Sequence, residues 1–405
     1  MTERSEVTGR LSTERSEVTG WLSTVRVVAD GDPELAINRL RRRIGIDAAA
    51  VDKFLAGHEV PLVEGRFCTF LYRGEADEVR LAQRIVGLPD RLPMRRLPGT
   101  DLWYVILEVP EGSRIEYQLE VCREGRVASH NDPLNPKLSY SPVGSSSVCF
   151  GPGYVTPDWT VPDPAAPAGQ LTDLVLQSRA LGRDCAVTLY LPAGFRPTGR
   201  YPLLVVHDGG DFLTYAAAQT VLDNLIHRRQ VAETVVAFLH PKDRLTEYTD
   251  LAEHAEFVTR ELLPLLETEL PLAAEPSARC LLGSSFGAIA ALSTARRFPD
   301  TYGSLVLLSG SFVFTVDGTP HGGGPTFDPV VEFVNDYRKR PTKVADRLFV
   351  SCGAFEPLIV RQRPMLETFR SVGMRVRYVE PYDGHNWVNW RDRLCDALSW
   401  VNPPG

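Results

Sequence analysis

The sequence lacks any hydrophobic run that could cross a membrane. Its apolar stretches are shorter than the ~18 residues that a spanning helix needs, so we expect no membrane segment and no membrane partner. The N-terminus also lacks a basic segment followed by an apolar core and a small-residue cleavage site, the pattern of a secretory signal. These absences predict a cytoplasmic protein.

A basic stripe that could neutralise phosphates is missing too. The chain has 44 Lys and Arg against 51 Asp and Glu, a formal net charge of −7, which excludes a general nucleic-acid binder. Of the 405 residues, 23% are charged and 43% are hydrophobic, so the chain is not disordered as a whole. Its length fits two domains, or one large domain with an appendage.

Cysteine is sparse and irregularly spaced. The seven cysteines are odd in number and never form a C-x-x-C pair. Neither a disulfide framework nor a zinc knuckle fits this spacing. We therefore expect reduced thiols, and the sequence predicts neither a metal site nor a cofactor.

A short repeat occupies the N-terminus. Residues 13–23 copy residues 2–12 with one change, from Arg10 to Trp21. Two units of this size cannot build a solenoid, and a glycine in each copy would interrupt a helix. We expect residues 1–24 to be a disordered tail without a function of its own.

Residues 25–150 are expected to form a β-sandwich domain. Apolar side chains at helical spacing over 32–57 come first, after a helix start signal at Asp32 and Pro33. Short alternating segments separated by Gly, Pro and Asp then follow, at 67–74, 78–85, 103–110 and 114–121. Several short strands at this spacing are typical of a sandwich.

The remaining chain indicates an α/β domain over 170–405, after a linker at 151–169 that contains five prolines. Strand-like runs lie at 175–181, 186–192, 202–208, 234–240, 278–283, 303–310, 347–353 and 374–381. Helix-like segments lie at 250–268, from 286 onward, at 360–372 and at 387–400. This alternation predicts a mostly parallel sheet with helices on both faces.

The strongest catalytic pattern is G-x-S-x-G within LLGSSFGAIAAL, residues 281–292. An apolar strand precedes it and a helix of small residues follows, which is the context of a nucleophile elbow with Ser285 as nucleophile. Gly283 and Gly287 are needed because strand and helix backbones come too close there for a Cβ atom. Ser284 is out of phase with the motif.

A base and an acid are expected after the nucleophile in chain order. His385 lies in PYDGHNWVNW, between the last strand and the last helix, and is the candidate base. Glu356 follows a strand end and is the candidate acid, which would fix the imidazole tautomer. Asp383, Glu380 and a Ser–His dyad with a weak third member remain as alternatives.

The oxyanion hole is expected to combine the N–H of Phe286 with an N–H from the loop after an earlier strand. PLLVVHDGGDF, residues 202–212, supplies such a loop after a buried strand. Glycine permits the backbone to turn its amide toward a substrate. Gly209 or Gly210 is therefore the second candidate donor.

Several segments together resemble a known family. They are LYLPAGF, VVHDGGDF, DRLTEY, FVTRELLPLLE, GSSFGA and GHNWVNWRDRL, preceded by GTDLWYVILEVP and HNDPLNP. The set resembles the enterochelin (ferric enterobactin) esterases, within the esterase D-like α/β hydrolases, over roughly residues 30–400. In that family a β-sandwich domain precedes an α/β-hydrolase domain.

The resemblance implies a small-molecule ester substrate, the trilactone of a ferric catecholate siderophore, whose hydrolysis releases iron. Arg244 in DRLTEY would face the anionic substrate, although a surface ion pair explains it equally well. Trp387 would line an aromatic pocket or pack the last helix. Because the net charge of −7 opposes an anionic ligand, this function requires a local basic cluster, with Arg244 as first candidate.

Two other functions fit the same residues. A carboxylesterase or acyltransferase of the same fold would use the same nucleophile and base on a different acyl ester. Alternatively, the N-terminal domain resembles modules appended to carbohydrate-active enzymes, so the chain could bind glycans and keep only a vestigial active site. A substrate panel and an activated phosphonate probe distinguish these functions.

Overall fold

The computed structural model of the chain describes residues 25–315, 321 and 324–404. The repeat within residues 1–24, predicted to be a disordered tail, lies outside the described residues. The chain divides into two compact units. Of the described residues, the first unit holds those through Val155 together with Gly353–Pro357 and Pro381–His385. The second unit holds those of Thr156–Cys352, of Leu358–Glu380 and from Asn386 onward.

The first unit contains two antiparallel sheets. Its strands are β1 Arg26–Val28, β2 Leu62–Glu64, β3 Phe67–Arg73, β4 Glu78–Ala82, β5 Arg91–Pro93, β6 Arg95–Arg96, β7 Leu102–Glu108, β8 Arg114–Arg123, β9 Arg126–His130, β10 Leu138–Ser141 and β11 Gly144–Phe150. One sheet has the order β1–β7–β3–β2 with β6 beside β7, and the other has β10–β11–β8–β4–β5 with β9 beside β8. The four strands predicted from alternation are present as β3, β4, β7 and β8.

Both sheets of the first unit contribute to one hydrophobic core. Phe70 of β3 and Leu107 of β7 belong to it from one sheet, and Leu81 of β4 and Leu119 of β8 from the other. All four side chains have no exposed surface. Burial on this scale is worth roughly 1.5–3 kcal/mol for each large apolar side chain, so strands of both sheets contribute to the stability of this core.

The helical spacing over 32–57 is realised as two helices, Ala36–Arg41 and Ala48–Ala56. Gly45, with φ of +67°, lies in the turn between them, in a conformation that few residues other than glycine adopt. Asp47 starts the second helix, since its side chain accepts a hydrogen bond from the Ala50 N–H at 2.8 Å.

The second unit is built on an eight-stranded sheet. Its strands are β12 Gln170–Ser178, β13 Arg183–Leu191, β14 Leu203–Val206, β15 Val235–His240, β16 Arg279–Ser284, β17 Ser304–Leu308, β18 Arg347–Ser351 and β19 Arg375–Val379. The order is β12–β13–β15–β14–β16–β17–β18–β19. The six strands from β14 to β19 pair in parallel, and β12 and β13 pair antiparallel.

Helices cover both faces of this sheet. They are Gly209–Tyr215, Ala218–His227, Arg244–Glu247, Ala252–Glu256, Leu263–Glu269, Phe286–Arg297, Asp328–Lys339, Ile359–Ser371 and Trp387–Val401, with a π-helical turn at Phe257–Leu262 and 3₁₀ turns at Asp158–Thr160, Pro276–Ala278 and Pro325–Phe327. Neighbouring residues of β16 enter different cores, Leu281 on one face and Leu282 on the other. This is the predicted α/β architecture, of the α/β-hydrolase type. Within the part of the chain that the structure describes, no helix is long and apolar enough to cross a bilayer.

The proline-rich segment after Val155 lies against the helix Ala218–His227. The Asn224 side-chain amide donates to the carbonyl oxygens of Trp159 and Val161 at 2.9 and 2.8 Å. The segment predicted to be a linker, residues 151–169, is thus hydrogen-bonded to a helix of the second unit over part of its length.

The parallel strands β14 and β16 bring Gly209 and Ser285 to the same end of the sheet of the second unit. Ser285 follows β16 directly, and Gly209 comes three residues after the end of β14. Glu356 and His385 follow β18 and β19 along the chain. In open α/β sheets, the segments after the carboxyl ends of the strands carry the functional residues.

Candidate active site

Ser285 lies in a strained turn between β16 and the helix Phe286–Arg297. Its φ of 54° and ψ of −119° are unusual for a residue with a side chain. The Ser285 N–H donates to the Leu308 carbonyl oxygen at 2.9 Å, which ties the turn to the next strand. The Ser285 side chain is half-buried and so remains accessible. This is the geometry expected of a nucleophile elbow.

Two glycines allow the turn to close. A Cβ atom on Gly283 would lie 2.1 Å from the carbonyl oxygen of Gly287, an impossible contact. A Cβ atom on Gly287 would lie 3.1 Å from the Cβ of His207. The spacing of glycines in G-x-S-x-G therefore follows from the close approach of strand, helix and the neighbouring loop.

The two serines near Ser285 differ in burial and in their contacts. Ser284 is completely buried, which removes it as an accessible nucleophile. The Oγ of Ser311 lies 3.2 Å from the Oγ of Ser285, and the Ser311 N–H donates to the Ser285 carbonyl oxygen at 3.1 Å. Sequence reasoning missed Ser311, because it follows β17 without any motif around it.

The candidate oxyanion donors are first-turn amides of two helices. Phe286 begins the helix Phe286–Arg297, while Gly209 and Gly210 begin the helix Gly209–Tyr215. The first amides of a helix have no intrahelical acceptor and are available to an anion. A Cβ atom on Gly209 would lie 2.4 Å from the Cβ of Phe238, so this position requires glycine.

Glu356 and His385 form a direct hydrogen bond. The Nδ1 of His385 lies 2.6 Å from the Oε2 of Glu356. The Glu356 side chain is fully buried, and its Oε1 accepts the Gly353 N–H at 2.7 Å. The His385 side chain is 37% exposed. A carboxylate bonded to Nδ1 leaves Nε2 as the basic nitrogen.

The two segments that carry this pair are bonded to each other. We call Gly353–Pro357 the glutamate segment and Pro381–His385 the histidine segment. The Ala354 N–H donates to the Pro381 carbonyl oxygen at 2.8 Å, and the Phe355 N–H donates to the Asp383 carbonyl oxygen at 3.1 Å. Both segments belong to the first unit.

The alternative acids bond elsewhere. The carboxylate of Asp383 accepts from the guanidinium of Arg114 at 3.3 Å. Glu380 pairs with Arg363 at 2.9 Å. Glu356, in contrast, bonds to the imidazole of His385 at 2.6 Å.

Arg244, predicted to face an anionic substrate, takes part in an ion pair. Its Nε lies 2.8 and 2.9 Å from the two carboxylate oxygens of Asp208. Burial raises the pKa of Asp208, and the neighbouring Arg244 opposes that shift. The guanidinium carbon lies 5.6 Å from the centre of the Phe286 ring, and the side chain is 31% exposed. We call residues 207–210, which follow β14, the glycine loop. Arg244 contacts both Asp208 of this loop and Phe286, the residue after Ser285, and its contact with substrate stays a prediction.

Trp387 packs at the start of the last helix. Its ring lies edge-to-face against Phe212, with 5.3 Å between the ring centres, and against Trp390, with 4.7 Å. The residue is 8% exposed. This packing fixes the helix that follows the histidine segment, and a pocket role for Trp387 stays a prediction.

Two buried histidines lie behind the elbow. The Nε2 atoms of His207 and His254 are 3.1 Å apart, and the Nδ1 of His207 lies 3.0 Å from the Leu282 carbonyl oxygen. Burial lowers the pKa of both, that of His207 to about 4. Among residues 25–315, 321 and 324–404, no group of three or more His, Cys, Asp or Glu side chains could hold a metal ion.

Comparisons with known proteins agree with the resemblance in the motifs. A family model described as Putative esterase matches residues 178–401. An iron(III) enterobactin esterase of Escherichia coli O6:H1 is 24% identical over 332 residues, which cover 75% of this chain and 80% of that protein. An iron(III) salmochelin esterase of the same organism is 25% identical over 382 residues, which cover 84% of this chain and 90% of that protein.

The fold is also found in a solved structure. The crystal structure of a ferric enterobactin esterase from Salmonella typhimurium has a TM-score of 0.68 and 20% sequence identity. It covers 83% of this chain and 93% of the other. The shared fold therefore extends beyond the segment that the family model matches.

Proposed function

Since the chain belongs to the esterase family and is a carboxylic ester hydrolase, we propose that it hydrolyses the ester bonds of a catecholate siderophore trilactone and so releases iron. The observation that carries the reaction type is the strained turn at Ser285, with φ of 54° between a strand and a helix. Strain of this kind is retained where a side chain must be presented for chemistry.

The proposed mechanism is a two-step acyl transfer. His385 takes the proton of the Ser285 hydroxyl, and Ser285 attacks the ester carbonyl carbon, which forms an acyl-enzyme and releases the alcohol. Glu356 holds the imidazole tautomer and stabilises the imidazolium. Water, with His385 as base, then releases the acid and restores Ser285.

The oxyanion of each tetrahedral intermediate is assigned to the amides of Phe286 and of Gly209 or Gly210. The close contact of Gly287 with His207, two residues before Gly209, supports this assignment, because it sets the glycine loop beside the elbow. Loss of one such donor typically lowers kcat by about 10²–10³-fold.

The siderophore substrate is supported by relatives and by local charge. The iron(III) enterobactin and iron(III) salmochelin esterases align over 75% and 84% of this chain, well beyond the residues of the family model. Arg244, 31% exposed beside Phe286, is the proposed contact for the anionic ferric catecholate. Trp387 is the proposed aromatic contact.

The proposal also assigns compartment and domains. The cytoplasm is the proposed compartment, because the irregular spacing of the seven cysteines does not fit a disulfide framework. Residues 25–150 are assigned to a β-sandwich domain and residues 170–405 to the catalytic domain, joined through 151–169.

A product assay tests the proposal. Wild type and Ser285→Ala are incubated with ferric trilactone, iron-free trilactone and short aryl esters, and the products are identified by mass spectrometry. We expect wild type to open the trilactone and Ser285→Ala to leave it intact while keeping its circular dichroism spectrum. Turnover by a folded Ser285→Ala would remove Ser285 as nucleophile.

The same assay, together with labelling by an activated phosphonate, separates the rival functions. Turnover of short aryl esters without trilactone cleavage would assign the chain to another carboxylic ester substrate. A serine that an activated phosphonate cannot label would instead favour a glycan-binding protein with a vestigial site.

A further inference from the structure

Arg114, at the start of β8, has an almost completely buried guanidinium. Its side chain is 2% exposed, and it donates to Glu116 at 2.9 Å and to Asp383 at 3.3 Å. The Asp383 side chain is 6% exposed and also accepts the Gly384 N–H at 2.7 Å. Because a buried charge without its partner is strongly unfavourable, this contact fixes where Asp383 lies.

Two backbone bonds hold the same region of the first unit. The Arg114 N–H donates to the Tyr382 carbonyl oxygen at 2.9 Å, and the Val86 N–H donates to the Phe355 carbonyl oxygen at 2.8 Å. Phe355 is 2% exposed and belongs to the same hydrophobic core as β3, β4, β7 and β8. The histidine segment and the glutamate segment are therefore both anchored on residues that precede Val155.

The ion pair is poorly suited to supply stability alone. The cost of removing two charges from water offsets most of their attraction, so apolar packing would serve a core equally well. What the planar guanidinium adds is fixed donor directions, with one nitrogen bonded to Asp383 and another to Glu116. Asp383 lies two residues before His385, and a displacement of ~1 Å at a reacting group can lower a rate by about 10²-fold.

We propose that Arg114 is a positioning residue, which holds the histidine segment through Asp383 so that His385 keeps its bond to Glu356. The N-terminal strands then take part in catalysis by fixing the base, in addition to any contact with substrate. This inference rests on the proposed function, in which His385 is the base.

The test compares Arg114→Met, Arg114→Lys and a control, Arg73→Met. Arg73 lies in the same unit, is 26% exposed and bonds to Asp52 and Asp101, neither of which belongs to the histidine segment. Each variant is assayed for kcat and KM on an aryl ester, for the rate at which an activated phosphonate labels Ser285, and for its free energy of unfolding.

We expect Arg114→Met to lower kcat and the labelling rate together, by about 10²-fold, with KM close to that of wild type. Arg114→Lys should recover part of kcat, because it restores the charge without the forked donors. Arg73→Met should keep the kcat of wild type. A purely structural role would change the free energy of unfolding but not kcat per folded molecule.

Wild-type kcat in a folded Arg114→Met would overturn the inference, and so would an equal loss in Arg73→Met. If Arg114→Met does not fold, unchanged kcat and labelling in Arg114→Lys overturn it instead. His385→Ala distinguishes failure of the proposed function from failure of this inference. Turnover in His385→Ala would show that His385 is not the base. An inactive His385→Ala beside a fully active Arg114→Met would leave the base and remove only the role of Arg114.

Discussion

The imidazole of His385 is held by Glu356 through a hydrogen bond of 2.6 Å between Nδ1 and Oε2. The carboxylate is fully buried, whereas the imidazole is 37% exposed. A buried acceptor that can bond to only one ring nitrogen selects the tautomer with hydrogen on Nδ1. The other nitrogen, Nε2, is then the one that can accept the proton of a nucleophile.

Replacing this acceptor should affect chemistry more than folding. Glu356→Gln keeps the shape of the side chain but removes its negative charge and can present an N–H to the imidazole, which favours the wrong tautomer. We expect kcat to fall by roughly 10³–10⁴-fold with little change in KM. The matched control is Glu380→Gln, since Glu380 bonds to Arg363 and should leave kcat unchanged. A loss below tenfold in Glu356→Gln would favour the Ser–His dyad.

Closure of the elbow should depend on the absence of a Cβ atom at Gly283. In Gly283→Ala this atom would meet the Gly287 carbonyl oxygen at 2.1 Å, so strand and helix must separate. We expect a loss of about 1–3 kcal/mol or more in the free energy of unfolding, together with loss of activity. Gly57→Ala is the control, because its Cβ would lie an ordinary 3.5 Å from its nearest neighbour. Equal urea midpoints for the two variants would contradict the expectation.

The parts of the site that depend on local sequence could be predicted. A strand, a turn and a helix contiguous in the chain specify the elbow at Ser285, and alternation of strands and helices specifies the parallel sheet. The candidate oxyanion amides, those of Gly209 or Gly210 after β14 and of Phe286 after β16, could be predicted from the same order of strand, turn and helix. The elbow, these amides and each single strand or helix arise from residues within about a dozen positions of one another, where periodicity and glycine spacing are informative.

Contacts between distant segments could not be derived in the same way. Glu356, Asp383 and Glu380 are all acidic residues near strand ends, and only the folded segments show which one bonds to His385. Ser311 and Arg114 lie outside any motif, so their contacts with Ser285 and Asp383 carry no signal in one sequence. The short helix Gly209–Tyr215 was missed because its two glycines indicate a loop.

If Arg244 holds the glycine loop in place, its loss should lower kcat for every substrate. If Arg244 also contacts an anionic substrate, its loss should in addition raise KM for that substrate. Arg244→Met leaves Asp208 buried without its cation, and we expect a loss of roughly 2–3 kcal/mol in the free energy of unfolding. kcat should fall for a neutral aryl ester as well as for a ferric trilactone, and KM should rise only for the trilactone. Arg363→Met, which removes a more exposed ion pair with Glu380, should change neither kcat nor KM. An unchanged kcat for the aryl ester would restrict Arg244 to substrate contact.

The buried histidines should make the protein sensitive to acid. Burial lowers the pKa of His207 to about 4 and also lowers that of His254, so both are neutral in the folded state. The unfolded chain, with a histidine pKa of about 6.5, binds protons more readily between these values. The contribution of His207 to stability is therefore complete above pH 6.5 and is lost as the pH falls toward 4, by about 3 kcal/mol. The contribution of His254 is also complete above pH 6.5 and is lost in the same direction as the pH falls.

Urea unfolding of wild type, His254→Gln and His58→Gln from pH 7.5 to 4.5 measures this effect. We expect the free energy of unfolding of His254→Gln to fall less steeply below pH 6.5 than that of wild type, because one buried group that must gain a proton is gone. His58 is exposed, and His58→Gln should follow wild type across the range. The comparison of slopes removes the contribution of carboxylates, which the three proteins share. Parallel curves for wild type and His254→Gln would show that His254 does not couple protonation to unfolding.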